Sequence, residues 1–193
     1  MIRFVNPETD AKYLLDIYAP YIKETSITFE YTVPELESFT QRIKSISSRY
    51  PYIVYEQNSK ILGYAYASRL AERKAYQWNV EVSIYLDKKN RRQGLGTELY
   101  TALHKLLQAA GYILSFSLIT GENTTSLEFH KRFGYTTDVC FKNQGYKFGK
   151  WHDVYWMEKN LMPDGNLPGT PLVPLLPGEI PQHVIRDAFG EKN

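Results

Sequence analysis

Apolar residues recur at helical spacing over Ala11, Leu14, Leu15, Tyr18, Tyr21 and Ile22, which predicts an amphipathic helix with one face on a core. Residues 2–5 ahead of it read as a short strand, and Asn6-Pro7-Glu8-Thr9-Asp10 supplies turn and N-cap chemistry. Pro20 falls inside the helical pattern. It has no N–H and clashes with the preceding turn, so a kink or an early stop is expected there. Pro34 suits a first helical position, and Leu36, Phe39, Ile43 and Ile46 mark the inner face of a second helix. Residues 52–56 and 61–68 read as strands around the polar turn Gln57-Asn58-Ser59-Lys60, a hairpin.

In the next strand, residues 77–86, Val80, Val82, Ile84 and Leu86 alternate with Glu81, Ser83 and Tyr85. A period of two puts the acid on the opposite face from the aliphatic row. The strongest helical pattern follows in Leu95, Leu99, Ala102, Leu103, Leu106, Leu107 and Ala110, and Gly111 ends it. Residues 112–119 form a largely apolar strand. Asn123 opens a shorter helix through Leu127, His130 and Phe133 to Gly134, and residues 135–141 and 151–157 finish as strands. There is no internal repeat.

Composition divides the chain. Residues 163–193 hold six of the ten Pro and four Gly but none of the 16 Tyr or three Trp. The first 162 residues carry 21 basic and 17 acidic groups and so are mildly cationic, within a total net charge of +2. A chain of 193 residues can bury roughly 70% of its unfolded surface, which suits one globular domain. Apolar runs such as 112–116 are far short of the roughly 18–20 residues of a membrane span, and Met1-Ile2-Arg3-Phe4 opens no signal peptide. A soluble, cytoplasmic protein is expected. Cys140 alone allows no internal disulfide, which fits a reducing compartment, and the four His show no metal spacing. The small net charge argues against a nucleic-acid coat.

Arg91-Arg92-Gln93-Gly94-Leu95-Gly96-Thr97 lies between a strand and a helix, where backbone N–H groups and the helix dipole favour an anion. Two glycines allow close approach of a phosphate and the arginines add charge-assisted contacts. A Rossmann fingerprint would need glycine at Leu99, and a P-loop would need a terminal Gly-Lys-Ser/Thr, which is absent. The segment reads as a diphosphate cradle, or else as a basic turn entering a surface helix.

The pattern Arg91-x-x-Gly94-x-Gly96 resembles the acetyl-CoA pyrophosphate motif of the GNAT acetyltransferase superfamily. The chain is most similar to its phosphinothricin and methionine sulfoximine acetyltransferase branch, through residues 17–18 with 25–30, 75–76 with 80–86, and 145–154. The resemblance covers residues 1 to about 161 and leaves 163–193 as a C-terminal extension to a 1–162 domain. It implies the GNAT acyl-CoA N-acyltransferase fold, an α/β (α+β) fold whose mixed, mostly antiparallel sheet has flanking helices and a splayed central strand pair.

The same resemblance implies acetyl-CoA in the cleft between the Glu81 strand and the 112–119 strand. Backbone groups of Ile84, Tyr85 and Leu86 would hold the pantetheine as an added strand would, and Arg91, Arg92, Gln93, Gly94, Leu95, Gly96 and Thr97 the diphosphate. Asn123 would contact the pantetheine or serve only as an N-cap. Arg132 would contact the cofactor or be a surface charge. Glu81 aligns with the carboxylate that takes the proton of the attacking amine, with Tyr76, Trp78 and Tyr85 expected to desolvate it. His130 aligns with a residue that either protonates the leaving thiolate or orients the cofactor. Phe29, Glu30, Arg73, Lys74, Tyr76 and Trp78 fall in the segments that shape the acceptor pocket, where Phe29, Tyr76, Trp78 and Trp151 suggest a closed site. A homodimer is implied, and a metal is not.

The expected reaction is acetyl transfer from acetyl-CoA to a small amino-acid-like amine. The alternatives are a protein or peptide N-acetyltransferase of the same fold, and a nucleic-acid or anionic-surface binder using Lys88-Lys89-Asn90-Arg91-Arg92. The extension carries nine large apolar residues, including Leu172, Ile180, Ile185 and Phe189. That is too many for a solvated linker, so it is expected to wrap its own domain or a dimer partner.

Overall fold

The computed structural model describes residues 1–90 and 94–191. Its elements in chain order are β1 (Ile2–Phe4), α1 (Pro7–Glu24), α2 (Leu36–Ser47), β2 (Tyr52–Gln57), β3 (Lys60–Arg69), β4 (Asn79–Leu86), α3 (Leu95–Ala110), β5 (Leu114–Thr120), α4 (Thr124–Arg132), β6 (Thr136–Lys147), β7 (Lys150–Asn160) and α5 (Gln182–Phe189). The strands form one sheet in the order β1-β2-β3-β4-β5-β7-β6. Every pairing is antiparallel except β4 with β5.

Side-chain alternation sorts the sheet into two cores. Ile53, Ala65, Ala67, Val80 and Val82 face α3, which buries Leu99, Tyr100, Leu103, Leu106 and Leu107 completely. At roughly 1.5–3 kcal/mol for each fully buried large side chain, α3 is the main anchor of the fold. On the other face, Tyr52, Val54 and Tyr64 pack under α1 and α2. Gly111 closes α3 in the left-handed conformation (φ 88°) and turns the chain into β5.

Asn6 caps α1 by accepting the Glu8 N–H at 3.1 Å, with Pro7 in the first turn. Of the two outcomes expected at Pro20, a kink or an early stop, the early stop does not occur: α1 runs on to Glu24. A helix-interior proline costs about 3 kcal/mol, and the burial of Ile17, Tyr18, Tyr21 and Ile22 around it offsets that. Pro34 is not the first helical residue either: α2 starts at Leu36 with Glu35 as its N-cap. The 57–60 turn is a tight hairpin in which Asn58 and Ser59 both take positive φ. Strands β4 and β5 start two residues later than their apolar patterns, and β6 runs on to Lys147.

The extension lies on α3. Ile180, Ile185 and Ala188 are buried in the α3 core, Phe189 packs edge-on against Phe4 at 5.1 Å, and the Leu175 N–H donates to Ala110 at 2.8 Å. No helix among the described residues is long and apolar enough to cross a membrane.

Candidate active site

The parallel β4–β5 ladder is short. It runs Asn79↔Leu114, Val80↔Ser115 and Glu81↔Phe116, and beyond Glu81 the strands part. Ladder phase decides which groups face the gap. The Asp87 N–H donates to Leu62 at 2.9 Å, and with the β3–β4 register this places the backbone groups of Tyr85 and Ser83 on β3 and those of Ile84 and Leu86 on the gap side. Of the three residues expected to hold a pantetheine arm, Ile84 and Leu86 therefore face the gap, Ile84 with its main-chain groups on offer and Leu86 with both of its own already meeting the Tyr21 hydroxyl. Tyr85 does not. Its backbone pairs with Tyr64, and its ring packs against Tyr18, Tyr21 and Tyr64 at 4.8, 5.2 and 5.4 Å. The Tyr21 hydroxyl donates to the Leu86 carbonyl at 2.6 Å.

At the open end of the gap stands the N-terminus of α3, with Gly94 as N-cap in the left-handed region (φ 82°). First-turn N–H groups at Leu95, Gly96 and Thr97 lack intrahelical partners, as every helix start does. Gly96 lies against Ile84, Leu86 and Phe129, and a β-carbon there would stand 3.4 Å from a Leu86 methyl. Arg91, Arg92 and Gln93 lie outside the described residues.

Glu81 sits beside the point where the strands part, between Ser68 and Phe116 on its neighbours. Burial raises its carboxyl pKa above the ordinary carboxylate value, the direction a general base for an amine requires. The expected shield is only partly present. Trp78 sends its indole N–H to the Leu172 carbonyl of the extension at 2.8 Å, and Tyr76 is exposed.

On the same face as Glu81, two and four residues past Phe116, Leu118 and Thr120 line a cavity of about 440 Å³ with Ile27, Phe29, Phe141, Gln144, Val154 and Trp156. Its size suits a small ligand. Phe29 is the one expected acceptor residue in this wall. Glu30 is tied to Tyr18 at 3.1 Å and to Arg42 at 2.6 Å. Arg73, Lys74 and Tyr76 lie on an exposed single turn and Trp151 is 60% exposed, so of the aromatics expected to close the site Phe29 lines the cavity, whereas Tyr76, Trp78 and Trp151 do not. The missed wall residues come from β5, β6 and β7. Their parity relative to Glu81 is readable only once the strand register is known. Among the described residues the Thr120 hydroxyl has no hydrogen-bond partner.

Asn123 caps α4, accepting the Ser126 N–H at 3.3 Å. His130, on the inner face of α4, is 2% exposed. Its Nδ1 donates to the Ser126 carbonyl at 2.8 Å, so Nε2 of the neutral ring accepts from Tyr100 Oη at 2.6 Å. Burial holds its pKa down at about 4. A neutral histidine with both nitrogens engaged holds no spare proton, and the proton-donor expectation has no support in this geometry. Arg132 is exposed at the last turn of α4. No cluster of three His, Cys, Asp or Glu among the described residues is placed to hold a metal.

A sheet opened between two parallel strands, with a helix N-terminus at its mouth, a desolvated carboxylate where they part and a small-ligand cavity on the same face, has the parts an acyl-group transferase needs. A model of the acetyltransferase (GNAT) domain matches residues 2–156. The chain belongs to the GNAT acetyltransferase family. It is 32% identical over 169 residues to the phosphinothricin N-acetyltransferase of Streptomyces viridochromogenes, covering 86% of this chain and 90% of that one. It is 28% identical to the L-methionine sulfoximine/L-methionine sulfone acetyltransferase of Pseudomonas aeruginosa, covering 82% and 94%. Among solved structures, the phosphinothricin acetyltransferase of Sinorhizobium meliloti in complex with acetyl-CoA superposes with a TM-score of 0.84 at 28% identity over 93% of this chain and 97% of that one.

Proposed function

We propose that this enzyme transfers the acetyl group of acetyl-CoA to the α-amine of a small amino-acid-like acceptor of the phosphinothricin, methionine sulfoximine or methionine sulfone type. The observation that carries the reading is Glu81, a carboxylate of raised pKa on the same sheet face as the cavity and beside the gap between β4 and β5.

The residues fit acetyl-CoA: Ile84 presents main-chain groups to the gap, and the bare backbone at Gly96 and the first turn of α3 suit a diphosphate. When bound, acetyl-CoA supplies an activated thioester carbonyl. Arg91, Arg92 and Gln93 belong to the same motif in the sequence. An ammonium has no lone pair, so Glu81, directly or through one water, takes the amine proton. The apolar wall of Phe29, Leu118, Val154 and Trp156 excludes water and holds the acceptor side chain, leaving Thr120 and Gln144 for its polar end. His130 acts by holding α4 against α3, which fixes the Asn123 turn. Arg132 is left as a surface charge.

Exposed Phe141, Tyr146, Phe148 and Trp151 on the β6–β7 hairpin support a homodimer, and the single cysteine supports the reducing cytoplasm as its compartment. A thiol-release assay with acetyl-CoA tests the reading across methionine sulfoximine, methionine sulfone, phosphinothricin, amino acids and a short peptide. Release with the sulfone or sulfoximine supports it. Release with the peptide alone overturns it.

A further inference from the structure

The loop after α1, residues 25–35, belongs to no helix or strand, yet it carries the cavity residues Ile27 and Phe29. What holds it is a lysine from another part of the chain. Lys147, 2% exposed at the end of β6, donates from Nζ to the carbonyls of Ile22, Thr25 and Thr28 at 2.8, 2.8 and 2.7 Å. An ammonium has three donors, and here all three go to the last turn of α1 and the loop. Burial lowers the Lys147 pKa, opposed by the Glu30 carboxylate.

The contacts continue. The Lys147 carbonyl accepts from Nε2 of His152, which is 1% exposed, at 2.9 Å, and Nδ1 of His152 meets Glu122 Oε1 at 2.8 Å. The ring thus joins the Lys147 carbonyl to the Glu122 carboxylate through its two nitrogens. The His152 ring also lies 6.1 Å from that of Phe29. Glu122 immediately precedes Asn123, the cap of α4, and is 3.2 Å from Lys150 Nζ.

We propose that Lys147, His152 and Glu122 are positioning residues. They form a hydrogen-bonded bridge that sets the acceptor loop, and with it the Phe29 wall, from the turn that opens α4 on the cofactor side. This rests on the acetyl-transfer reading above. Removing the bridge loosens acceptor binding and leaves acetyl-CoA binding in place.

Glu122 is the residue to change first, because its side chain is 44% exposed and its loss leaves no cavity. In the full-length enzyme, Glu122→Ala raises the KM for L-methionine sulfone about five- to tenfold, the scale of a lost charge-assisted hydrogen bond, with the KM for acetyl-CoA within about twofold. Glu122→Gln, which keeps an oxygen facing His152, restores most of the affinity, and His152→Ala shows the larger split. Amide hydrogen exchange over residues 22–29 needs no substrate and quickens in both alanine variants. An active wild type whose alanine variants keep the acceptor KM and the exchange rates overturns the bridge. A wild type that acetylates no small amine overturns the functional reading, and exchange over 22–29 still decides the bridge: faster exchange upholds it and unchanged exchange rejects it.

Discussion

The ring of Phe29 occupies the space that a β-carbon on Gly145 would need: such an atom would stand 2.6 Å from Phe29 Cδ2 and nearer still to Cε2 and Cζ. Gly145 pairs with His152 across the β6–β7 ladder, just past the irregularity between Phe141 and Gly145. Here a rigid main chain meets a rigid ring, so Gly145→Ala must displace Phe29. Overpacking of this kind costs about 1–3 kcal/mol. The expected outcome is a lower melting temperature and an acceptor KM raised roughly tenfold, with the KM for acetyl-CoA unchanged, by steady-state kinetics.

Glu81→Gln removes the proposed base. Loss of general-base catalysis lowers kcat by about 10²–10⁴-fold at neutral pH, while acetyl-CoA binding, followed by calorimetry, is retained. The base works only when ionised and burial raises its pKa, so the acid limb of the wild-type rate profile lies above the ordinary carboxylate range and disappears in the variant. The sign for stability is opposite. A carboxylate of raised pKa is destabilising when ionised, so the variant melts at or above the wild-type temperature at pH 7. A variant that simply misfolds would melt lower.

His130 is expected to shape acid stability. Its pKa is about 4 in the folded protein against about 6.5 unfolded. The folded state therefore binds fewer protons between these values, and stability is retained above about 6.5 and lost as pH falls toward 4, by roughly 3 kcal/mol. His104, held at about 3 by burial and Lys159, extends the loss further down. Denaturant melts across pH 4–7 should show a shallower dependence in His130→Asn. The basic limb of the rate profile should persist in that variant, since a ring already neutral at pH 7 is not the thiolate's acid.

Truncation after Met162 is expected to destabilise the enzyme before it alters the chemistry. It removes Ile180, Ile185 and Ala188 from the α3 core and Phe189 from Phe4. The two isoleucines alone correspond to about 3–6 kcal/mol as an upper bound, whereas the exposed Lys105–Asp187 pair adds little. Thermal melting of the truncated chain at or near the wild-type temperature would contradict this packing.

Much of the fold was legible because it is written in local periodicity. The α3 stripe, the β4 alternation that isolates Glu81, the Asn6 and Asn123 caps and the 57–60 turn each depend on neighbours a few residues away, and each appears in the structure. The early stop allowed for at Pro20 does not occur, because local helix-breaking chemistry competes with the burial of Tyr18, Tyr21 and Ile22, which periodicity does not weigh. The acceptor wall was only partly legible. Phe29 was found, whereas Arg73, Lys74 and Tyr76 stay outside the cavity and Leu118, Gln144, Val154 and Trp156 were missed.

The sequence by itself determined the elements and the family, and it set Glu81 on the face opposite the aliphatic row of its strand, since these rest on side-chain period and on motifs contiguous in the chain. Tertiary structure alone decided what those parts do together. The end of the β4–β5 ladder selects Ile84 and Leu86, not Tyr85, to face the gap. The packing of α3 on α4 makes His130 a neutral, buried ring. A lysine is joined to the loop carbonyls beside Ile27 and Phe29, more than 110 residues away, because an ammonium buried in a protein must find its acceptors wherever the fold brings them.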